Sequence, residues 1–462
     1  MAIEPERIRA LNQRTIANQS YVLYWMQASQ RARHNPALEH AIARANELRL
    51  PLVVGFGLMD DYPEANARHY AFMLEGLAVV RAELEERGIR LVVRRGPPDR
   101  VALALARRAA LVVCDRGYLR HQRAWRAAVA TAAGVRVEQV EGDVVVPVEV
   151  ASQKLEYAAR TLRPKLQRRY GQFIRRRSSL ELERDSLGLR ITQDFDVRYP
   201  EQVLGSLAVD RSVPPVCRFR GGAIEGRRRL AGFLRSHLAG YSAGRAEPAD
   251  FCVSLLAPYL HFGHVSPVEV ALAVGRHRAA SDQDREAFLD QLIVRRELAV
   301  NFVEHEPRYD RYRAVPAWAR ATLASHARDV RPARYSRAQL VRSETHDPHF
   351  NAAMREMVHT GAMHNSLRMY WAKRILEWSP TPASAFSTVL SLNNTYFLDG
   401  RDPNSYANVA WCFGLHDRPW PDRPIFGTVR FMNDRGLERK YDMKAYAEAV
   451  ASLVAREQRR AA

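Results

Sequence analysis

Short apolar runs alternate with helical segments over the first part of this 462-residue chain, and no other feature constrains its fold as strongly. Amphipathic stretches such as residues 35–48 and 65–87 lie between runs that have the pattern of buried strands, at residues 21–25, 52–56, 90–93, 111–114 and 143–147. Strand–helix alternation of this kind predicts a parallel sheet with helices on both faces. There is no GxGxxG after the first strand, so a standard dinucleotide site is not expected.

The rest of the chain has an almost entirely helical periodicity. Apolar residues recur at i, i+3 and i+4 in residues 223–238, 267–274, 286–304, 352–357 and 363–378. Residues 151–220 are basic and contain proline, which is typical of a linker with helical pieces. We therefore predict an α/β domain over residues 1–150, a basic interdomain linker over 151–220 and an all-α domain over 221–462.

Charge and cysteine usage narrow the environment of the protein. Lys and Arg outnumber Asp and Glu by 70 to 51, giving a net charge of +19 that makes polyanions attractive partners. A genome that favours arginine would give the same excess, so charge alone leaves nucleic-acid binding open. Four scattered cysteines without a CxxC pair argue against a zinc site and suit a reducing cytosol. No apolar run is long enough to span a bilayer, so we expect a cytoplasmic protein.

Three segments in the second half of the chain carry residue types suited to binding or catalysis. Residues 361–371 and Trp378 place an arginine and two tryptophans on one predicted helix, and residues 398–404 form a polar turn with carboxylates and amides. Together with residues 257–263, these motifs resemble the flavin cradle of the photolyase/cryptochrome family. The resemblance is closest to class II cyclobutane-pyrimidine-dimer photolyases and covers nearly the whole chain. Residues 151–165 also resemble a signature of class II.

The resemblance implies an architecture, a cofactor and a partner. The expected fold is an N-terminal Rossmann-like α/β antenna domain followed by an all-α C-terminal FAD-binding domain. FAD is the implied cofactor, and the antenna domain of this family sometimes holds a second pigment, which the sequence does not identify. The implied partner is double-stranded DNA containing pyrimidine dimers, and we expect the protein to act as a monomer.

The positions that the resemblance assigns to FAD fall into two groups. Tyr241 and the turn of Val253, Ser254, Leu255, Leu256 and Ala257 match the phosphate-binding turn, although Ala257 replaces a usual hydroxyl. Those that match the ring and its polar edge are Asn365, Arg368, Asn393, Asp399, Asp402 and Asn404. Asn393 matches the class II asparagine near flavin N5, with Asn404 as a second choice. Read without the resemblance, Ser254 is a helix N-cap and Arg368–Asp399 a structural salt bridge.

The electron chain departs from the family pattern. Trp371 and Trp378 lie seven residues apart on the predicted helix and project to a similar side. The resemblance implies a third tryptophan between them, and Phe350 occupies its position. Because phenylalanine is harder to oxidise, we expect the route from flavin to surface to be interrupted unless Tyr370 or another aromatic residue carries the electron.

The lesion pocket is also altered. The family has a glutamate where Gln291 stands and a tryptophan where Arg295 stands, while Arg245, Met369 and Trp411 match retained lesion-pocket positions. Glutamine can donate and accept hydrogen bonds but cannot supply a proton, and arginine stacks as a planar cation. The resemblance further implies a DNA-facing segment with a wedge-like loop, carried by Arg418, Trp420, Arg430 and Lys440. Trp420 alone could equally pack under a loop.

The leading functional hypothesis is light-driven splitting of cyclobutane pyrimidine dimers by an FAD enzyme. The altered positions Gln291, Arg295 and Phe350 motivate an alternative, a non-repairing cryptochrome-like photoreceptor or DNA-binding flavoprotein with impaired photoreduction. A light-independent flavin reductase is a third class, but no nicotinamide fingerprint is present. Residues 240–244 fit the GxSxG pattern of a hydrolase elbow, yet that motif requires a preceding strand, and residues 230–238 have a helical pattern.

Overall fold

A computed structural model describes residues 3–461, which begin with a six-stranded sheet. Its strands β1 to β6 are Ile8–Ala10, Tyr21–Trp25, Leu52–Leu58, Arg90–Arg95, Ala109–Asp115 and Arg136–Val140. They are ordered β1-β6-β5-β2-β3-β4, and every pair is parallel except β1 with β6. Both faces carry crossover helices, namely Pro36–Leu48, Ala67–Glu85, Pro98–Ala106 and Arg120–Ala132.

Four of the five predicted apolar strands are present in this sheet, as β2, β3, β4 and β5. Every residue of β2, β3 and β5 is buried, as expected where helices cover both faces. The first crossover helix begins where the sequence provides a cap, since the Asn35 side chain accepts hydrogen bonds from Ala37 N and Leu38 N. The parallel α/β domain is therefore confirmed.

The strand predicted at residues 143–147 is wrong. This segment is buried but irregular, because side chains rather than a neighbouring strand satisfy its backbone. Arg7 donates to the carbonyl oxygens of Val144 and Val145 at 3.2 and 2.6 Å. The Glu297 carboxylate accepts the N–H of Val145 at 2.5 Å. The edge strand β1 and its neighbour β6 were not predicted, because polar residues interrupt their apolar pattern.

The remainder of the described chain is helical. Residues 148–220 contain the short helices Val148–Ala151, Ala159–Gln167, Tyr170–Phe173 and Pro200–Ser206. The following helices are Ala223–Ser236, Tyr241–Gly244, Ala257–His261, Pro267–Arg276, Asp282–Leu289, Arg296–His305, Ala317–Ser325, Arg337–Val341, Pro348–Thr360, Asn365–Trp378, Pro382–Tyr396, Pro403–Cys412, Asp434–Glu438 and Met443–Ala461. Over residues 3–461, no helix is long and apolar enough to cross a membrane.

The single helix expected over residues 286–304 contains an irregular turn. An α-helix over Asp282–Leu289 passes into a π-helical segment, Asp290–Arg295, before α-helical geometry resumes at Arg296–His305. Such π segments often lie at functional sites, because the wider turn redirects side chains out of the regular pattern. This one carries Gln291 and Arg295.

The start of the helix Ala67–Glu85 docks the α/β domain onto the helical region. Arg68 donates to the carbonyl oxygens of Val358 and Tyr396 at 2.6 and 2.7 Å. Asn66 donates to Thr395 O at 2.8 Å, so two neighbouring side chains reach the end of the helix Pro382–Tyr396. These partly buried contacts bring the loop before residue 67 close to the functional site described below.

Candidate functional site

A cavity of about 570 Å³ lies among the helices of the C-terminal region. It is lined by 18 of the residues singled out in the sequence: Tyr241, Arg245, Val253, Ser254, Leu255, Leu256, Ala257, Gln291, Arg295, Asn365, Arg368, Met369, Trp371, Asn393, Asp399, Asp402, Asn404 and Trp411. Six others lie outside its lining: Phe350, Trp378, Arg418, Trp420, Arg430 and Lys440. Residues separated by more than 150 positions in sequence thus converge on one space.

One end of the cavity is built around Tyr241. Its ring lies edge-on to Phe233 and Phe288, with centroids 5.7 and 5.3 Å away. The Asp284 carboxylate accepts the N–H groups of Gly240 and Ser242 at 3.1 and 2.8 Å, which fixes the turn around the tyrosine. Burial raises the pKa of Tyr241 to about 12, so its hydroxyl remains protonated at neutral pH and can donate a hydrogen bond. Because Ser242 lies in the short helix Tyr241–Gly244 that follows another helix, a hydrolase elbow is excluded.

The adjoining turn has an unusual backbone. Phe251 and Leu255 both have positive φ, 47° and 52°, a conformation that costs free energy for residues with a β-carbon. Ser254 is not a helix N-cap, because the helix begins at Ala257 and its N-cap is Leu256. The Ser254 hydroxyl instead accepts the N–H of Leu256 at 3.4 Å within the turn. Strained turns of this kind are typical of ligand-binding loops.

The Arg368–Asp399 pair forms a planar wall of the cavity. Two guanidinium nitrogens of Arg368 donate to the two carboxylate oxygens of Asp399 at 3.2 and 3.0 Å, and its Nε donates to Met363 O at 3.2 Å. The guanidinium lies over the Phe397 ring, 3.8 Å from its centroid. Bidentate pairing and stacking together fix the plane of the arginine, as expected for a group that lies along a flat ligand.

Asp402 holds the polar end of the same wall. Its carboxylate caps the helix Pro403–Cys412 by accepting the N–H of Asn404 at 2.9 Å, and it also meets His261 Nδ1 at 3.2 Å. Burial opposes the charge, but the contacts with His261, Arg296 and the Asn404 N–H together outweigh it and lower the pKa of Asp402 to about 2. The Asn404 side-chain NH₂ group also donates to Asp402, so the side-chain oxygen of Asn404 remains available to accept a hydrogen bond from another group.

Several polar residues that line the cavity were not predicted from the sequence. Glu356 is buried and accepts a hydrogen bond from Tyr446 Oη at 2.7 Å, and burial raises its pKa. His364 caps the helix Asn365–Trp378, and His416 contacts Tyr157 O at 2.7 Å. Glu356 and His364 lie within segments that carry other predicted site residues, but nothing in their local pattern distinguishes an inward-facing polar residue from a solvated one.

Three histidines that stay neutral in the folded protein should make it less stable in acid. Burial lowers the pKa of His364 and His121 to about 4 and that of His264 to about 3, against an ordinary value near 6.5. Below about pH 6.5 the unfolded chain binds protons that the folded protein does not, so the unfolding free energy decreases as pH falls. For each such histidine we expect a loss of roughly 2 kcal/mol between pH 7 and pH 5.

Urea unfolding at the two pH values measures this loss. In the variant His121→Gln the decrease should be smaller by about one histidine's share, roughly 2 kcal/mol. An unchanged pH dependence in that variant would contradict the assignment of a neutral, half-buried His121.

The expected electron chain lies behind the cavity. Trp371 lines the cavity, whereas Phe350 and Trp378 lie in the core with ring centroids 5.0 Å apart. From Trp378 the aromatic contacts continue to the half-buried Tyr335, whose centroid is also 5.0 Å away. Tyr370, considered above as a substitute, donates its hydroxyl to Asp347. Phe350 therefore contacts Trp378, and its place in an electron chain stays a prediction.

A stack of alternating cationic and aromatic side chains borders the cavity. The Cζ atom of Arg430 lies 5.5 and 4.4 Å from the ring centroids of Trp411 and Trp420, and the Cζ atom of Arg418 lies 5.2 Å from that of Trp420. Arg430 also pairs with Asp417 at 3.1 Å. Trp411 is the only member of this stack in the cavity lining, and Arg418 is exposed. The arrangement links the retained Trp411 to the predicted DNA-facing segment, in which Lys440 is also exposed.

The positions expected to contact the lesion also line the cavity. Gln291 is half-buried and Arg295 is exposed, and both extend from the π-helical segment. Arg295 has only a loose ion pair, 3.6 Å from Asp290, so its guanidinium can move toward an incoming phosphate. Arg245 is exposed as well, and Met369 is half-buried on the helix of Arg368. The cavity lining therefore includes two exposed arginines, Arg245 and Arg295.

Comparison with known proteins shows which family has this architecture. A protein-family model for DNA photolyase matches residues 22–181. The deoxyribodipyrimidine photo-lyase of Methanothermobacter thermautotrophicus is 46% identical over 458 residues, which are 98% of this chain and 99% of that protein. The chain belongs to the DNA photolyase family. Membership of this family implies FAD as cofactor and DNA as substrate, and the family expected from the sequence is confirmed.

Solved structures of this family share the fold. A bacterial class III photolyase from Agrobacterium tumefaciens has a TM-score of 0.72 at 19% identity, covering 94% of this chain and 87% of that chain. The Synechocystis sp. PCC6803 cryptochrome also has a TM-score of 0.72, at 16% identity, covering 93% and 87%. The predicted α/β plus all-α architecture is confirmed. Because a photolyase and a cryptochrome match equally well, the fold alone does not separate repair from light sensing.

Proposed function

We propose that this protein is a deoxyribodipyrimidine photo-lyase that uses FAD and light to split cyclobutane pyrimidine dimers in DNA. The observation that carries the proposal is the convergence of the predicted cradle and lesion residues on one cavity. The full-length similarity to the Methanothermobacter enzyme supports the same activity. The cryptochrome-like alternative rests on the altered residues Gln291, Arg295 and Phe350, and the experiments below distinguish the two.

The residues that are present fit FAD. A cavity of about 570 Å³ is in the range of small-molecule and cofactor sites, roughly 300–1,000 Å³. The strained turn at Leu255 has a backbone of the kind that presents N–H groups to a phosphate, and the fixed plane of Arg368–Asp399 suits a flat ring. The buried Trp371 Nε1 has no hydrogen-bond partner among the described residues. We assign the phosphates to Tyr241 and the turn 253–257, and the ring to Arg368, Asp399, Asn393 and the polar turn.

In this proposal the photoexcited, reduced flavin supplies the electron that opens the dimer. The chain itself binds and orients. Gln291 meets the polar edge of a flipped-out dimer, while Met369 and Trp411 pack against its bases. Arg245 and Arg295 bind the adjacent phosphates, and the stack of Arg418, Trp420 and Arg430 occupies the gap in the duplex. The closed wall behind Trp371 excludes water from the ring.

A second, smaller cavity of about 120 Å³ lies between the α/β and helical regions. Three of its buried polar atoms have no hydrogen-bond partner within residues 3–461: Trp25 Nε1, Gln30 Oε1 and Arg401 Nε. Unpaired buried donors and acceptors are costly, so they favour a ligand that satisfies them. We propose that the antenna pigment, where one is bound, contacts the protein here.

FAD retention tests the cofactor site. Arg368→Ala removes a bidentate ion pair and leaves Asp399 unpaired, so we expect FAD affinity to fall by about ten- to a hundredfold. Affinity is measured by titrating apoprotein with FAD and following the flavin fluorescence. The control Arg418→Ala removes an arginine outside the cavity and should bind FAD as the parent does. A parent protein that stays colourless and takes up no FAD would overturn the proposal.

Repair is tested on the FAD-loaded protein after chemical reduction of the flavin. A dimer-containing oligonucleotide should be restored under illumination and unchanged in the dark. Chemical reduction removes any dependence on the interrupted aromatic chain, so the assay reports the lesion pocket alone. FAD-loaded, reduced protein that splits no dimers under illumination would exclude the repair function and favour the cryptochrome-like alternative.

A further inference from the structure

A chain of hydrogen bonds connects the cavity to the α/β domain. The Asn393 side chain lines the cavity and donates through Nδ2 to Asn394 Oδ1 at 3.1 Å. Asn394 is fully buried and donates through its own Nδ2 to a Glu64 carboxylate oxygen at 2.6 Å. Glu64 precedes the helix Ala67–Glu85, in the loop that the Asn66 and Arg68 contacts hold against residues 395–396. Three side chains thus form a relay from one domain to the other.

The orientation of the middle amide is determined by its neighbours. A carboxylate can only accept hydrogen bonds, so Glu64 requires the NH₂ group of Asn394. On the opposite side, the Arg401 backbone N–H donates to Asn394 Oδ1 at 3.0 Å, which requires the oxygen there. Reversing the amide would place oxygen against carboxylate and NH₂ against N–H, losing one partly buried and one buried hydrogen bond.

The fixed Asn394 in turn orients Asn393. Because Asn394 offers an oxygen, Asn393 must turn its NH₂ group toward Asn394 and away from the cavity. Its side-chain oxygen accepts no hydrogen bond from residues 3–461 and belongs to a residue that lines the cavity. The cavity therefore meets a hydrogen-bond acceptor at this position, although an isolated asparagine could present either group.

We propose that Glu64 is a positioning residue. Through Asn394, it orients the Asn393 side chain so that the amide oxygen of Asn393 points toward the flavin ring. The inference rests on the proposed function, in which Asn393 lies beside N5 of the ring. An acceptor there stabilises a reduced flavin that carries a proton on N5, and repels the unprotonated nitrogen of the oxidised form. The α/β domain thereby adjusts the redox state of a cofactor that it does not touch.

The test is the one-electron potential of the bound flavin, measured by spectroelectrochemical titration. Glu64 has a φ of 58°, a conformation in which glycine is unstrained, so Glu64→Gly removes the carboxylate without backbone cost. We expect the equilibrium constant for reduction to fall by about threefold. At about 59 mV per tenfold for one electron, the potential falls by about 30 mV.

The sign of the shift separates the relay from simple electrostatics. Loss of a negative charge by itself makes reduction easier and would raise the potential. Glu64→Gln also loses the charge, but its amide oxygen can still accept from Asn394, so its potential should not fall. Asp61→Asn removes an exposed carboxylate from the same loop and serves as the matched control. It should likewise show no fall.

Each outcome decides for or against the relay. A fall in Glu64→Gly alone supports it, while a rise or no change in that variant overturns it. These results are independent of repair, because the potential is measured without DNA or catalysis. A protein that binds FAD, repairs dimers and shows no fall in Glu64→Gly would refute the relay and leave the proposed function intact. A protein that binds no FAD refutes the proposed function and the relay with it.

Discussion

Replacing Phe350 by tryptophan should accelerate light-driven reduction of the bound flavin by about tenfold or more, a change of about 1.4 kcal/mol in barrier per decade. The reason is that electron hopping requires oxidisable groups in sequence. Trp371 lies at the cavity and Trp378 lies behind it, and the Phe350 ring in contact with Trp378 cannot take part. A third indole would shorten each transfer. Blue-light illumination with an external reductant, followed by flavin absorption, measures the rate.

The complete burial of Phe350 determines which controls this experiment requires. The residue is fully buried, so a larger ring costs roughly 1–3 kcal/mol of stability, and folding must be checked by circular dichroism. Phe386→Trp makes the same enlargement at another buried phenylalanine and should not accelerate reduction. Phe350→Leu should be as slow as the parent, because the parent ring carries no electron. A parent rate equal to that of Phe350→Trp would mean that electrons follow another route.

The strength of the apolar pattern decided how much of the α/β domain could be predicted. Strands β2, β3 and β5 are buried on both faces, so their runs of apolar residues are unambiguous. β6 contains Glu138 and Gln139, whose side chains find specific partners in His40 and Arg126, and no local pattern reveals such pairing. Residues 144–146 have the pattern of a strand, but Arg7 and Glu297 satisfy their backbone from distant positions.

The candidate site was predicted from motif resemblance rather than from physical pattern. Arg368 and Asp399 could be paired in advance because the family motif contains both. Glu356 and His364 were missed, because their inward orientation depends on the packing of helices far apart in sequence. The π-helical turn at residues 290–295 was missed for a related reason: its apolar residues still fit an α-helical pattern in the sequence, and only the hydrogen-bond register reveals the wider turn. The relay through Asn394 likewise requires the docking of two domains.

The lesion pocket should discriminate dimers poorly in the parent protein and better in the double variant Gln291→Glu with Arg295→Trp. A stacking aromatic residue contributes roughly 1–3 kcal/mol per base, so the ratio of affinities for damaged and undamaged duplex should widen by about ten- to a hundredfold. The site can accept the indole without repacking, since the Arg295 side chain is 53% exposed and only loosely paired. Titrations of both duplexes at matched salt measure the ratio.

Salt dependence provides a second, independent measure of the same change. Arg295 is placed to bind a phosphate, so its removal should lower the slope of log affinity against log salt by about one for both duplexes. The introduced tryptophan should act on the damaged duplex alone. Arg311→Trp, at an exposed arginine outside the cavity lining, controls for adding an indole to the surface and should leave the ratio unchanged.

The two substitutions should also depend on each other, because positions 291 and 295 are neighbours on one helical segment. The carboxylate introduced by Gln291→Glu should be effective mainly when the indole introduced by Arg295→Trp holds the dimer against it. The single variants should therefore widen the affinity ratio by less, taken together, than the double variant does. Strong dimer preference in the parent would instead mean that Gln291 and Arg295 already form a working pocket, and the cryptochrome-like alternative would lose its main support.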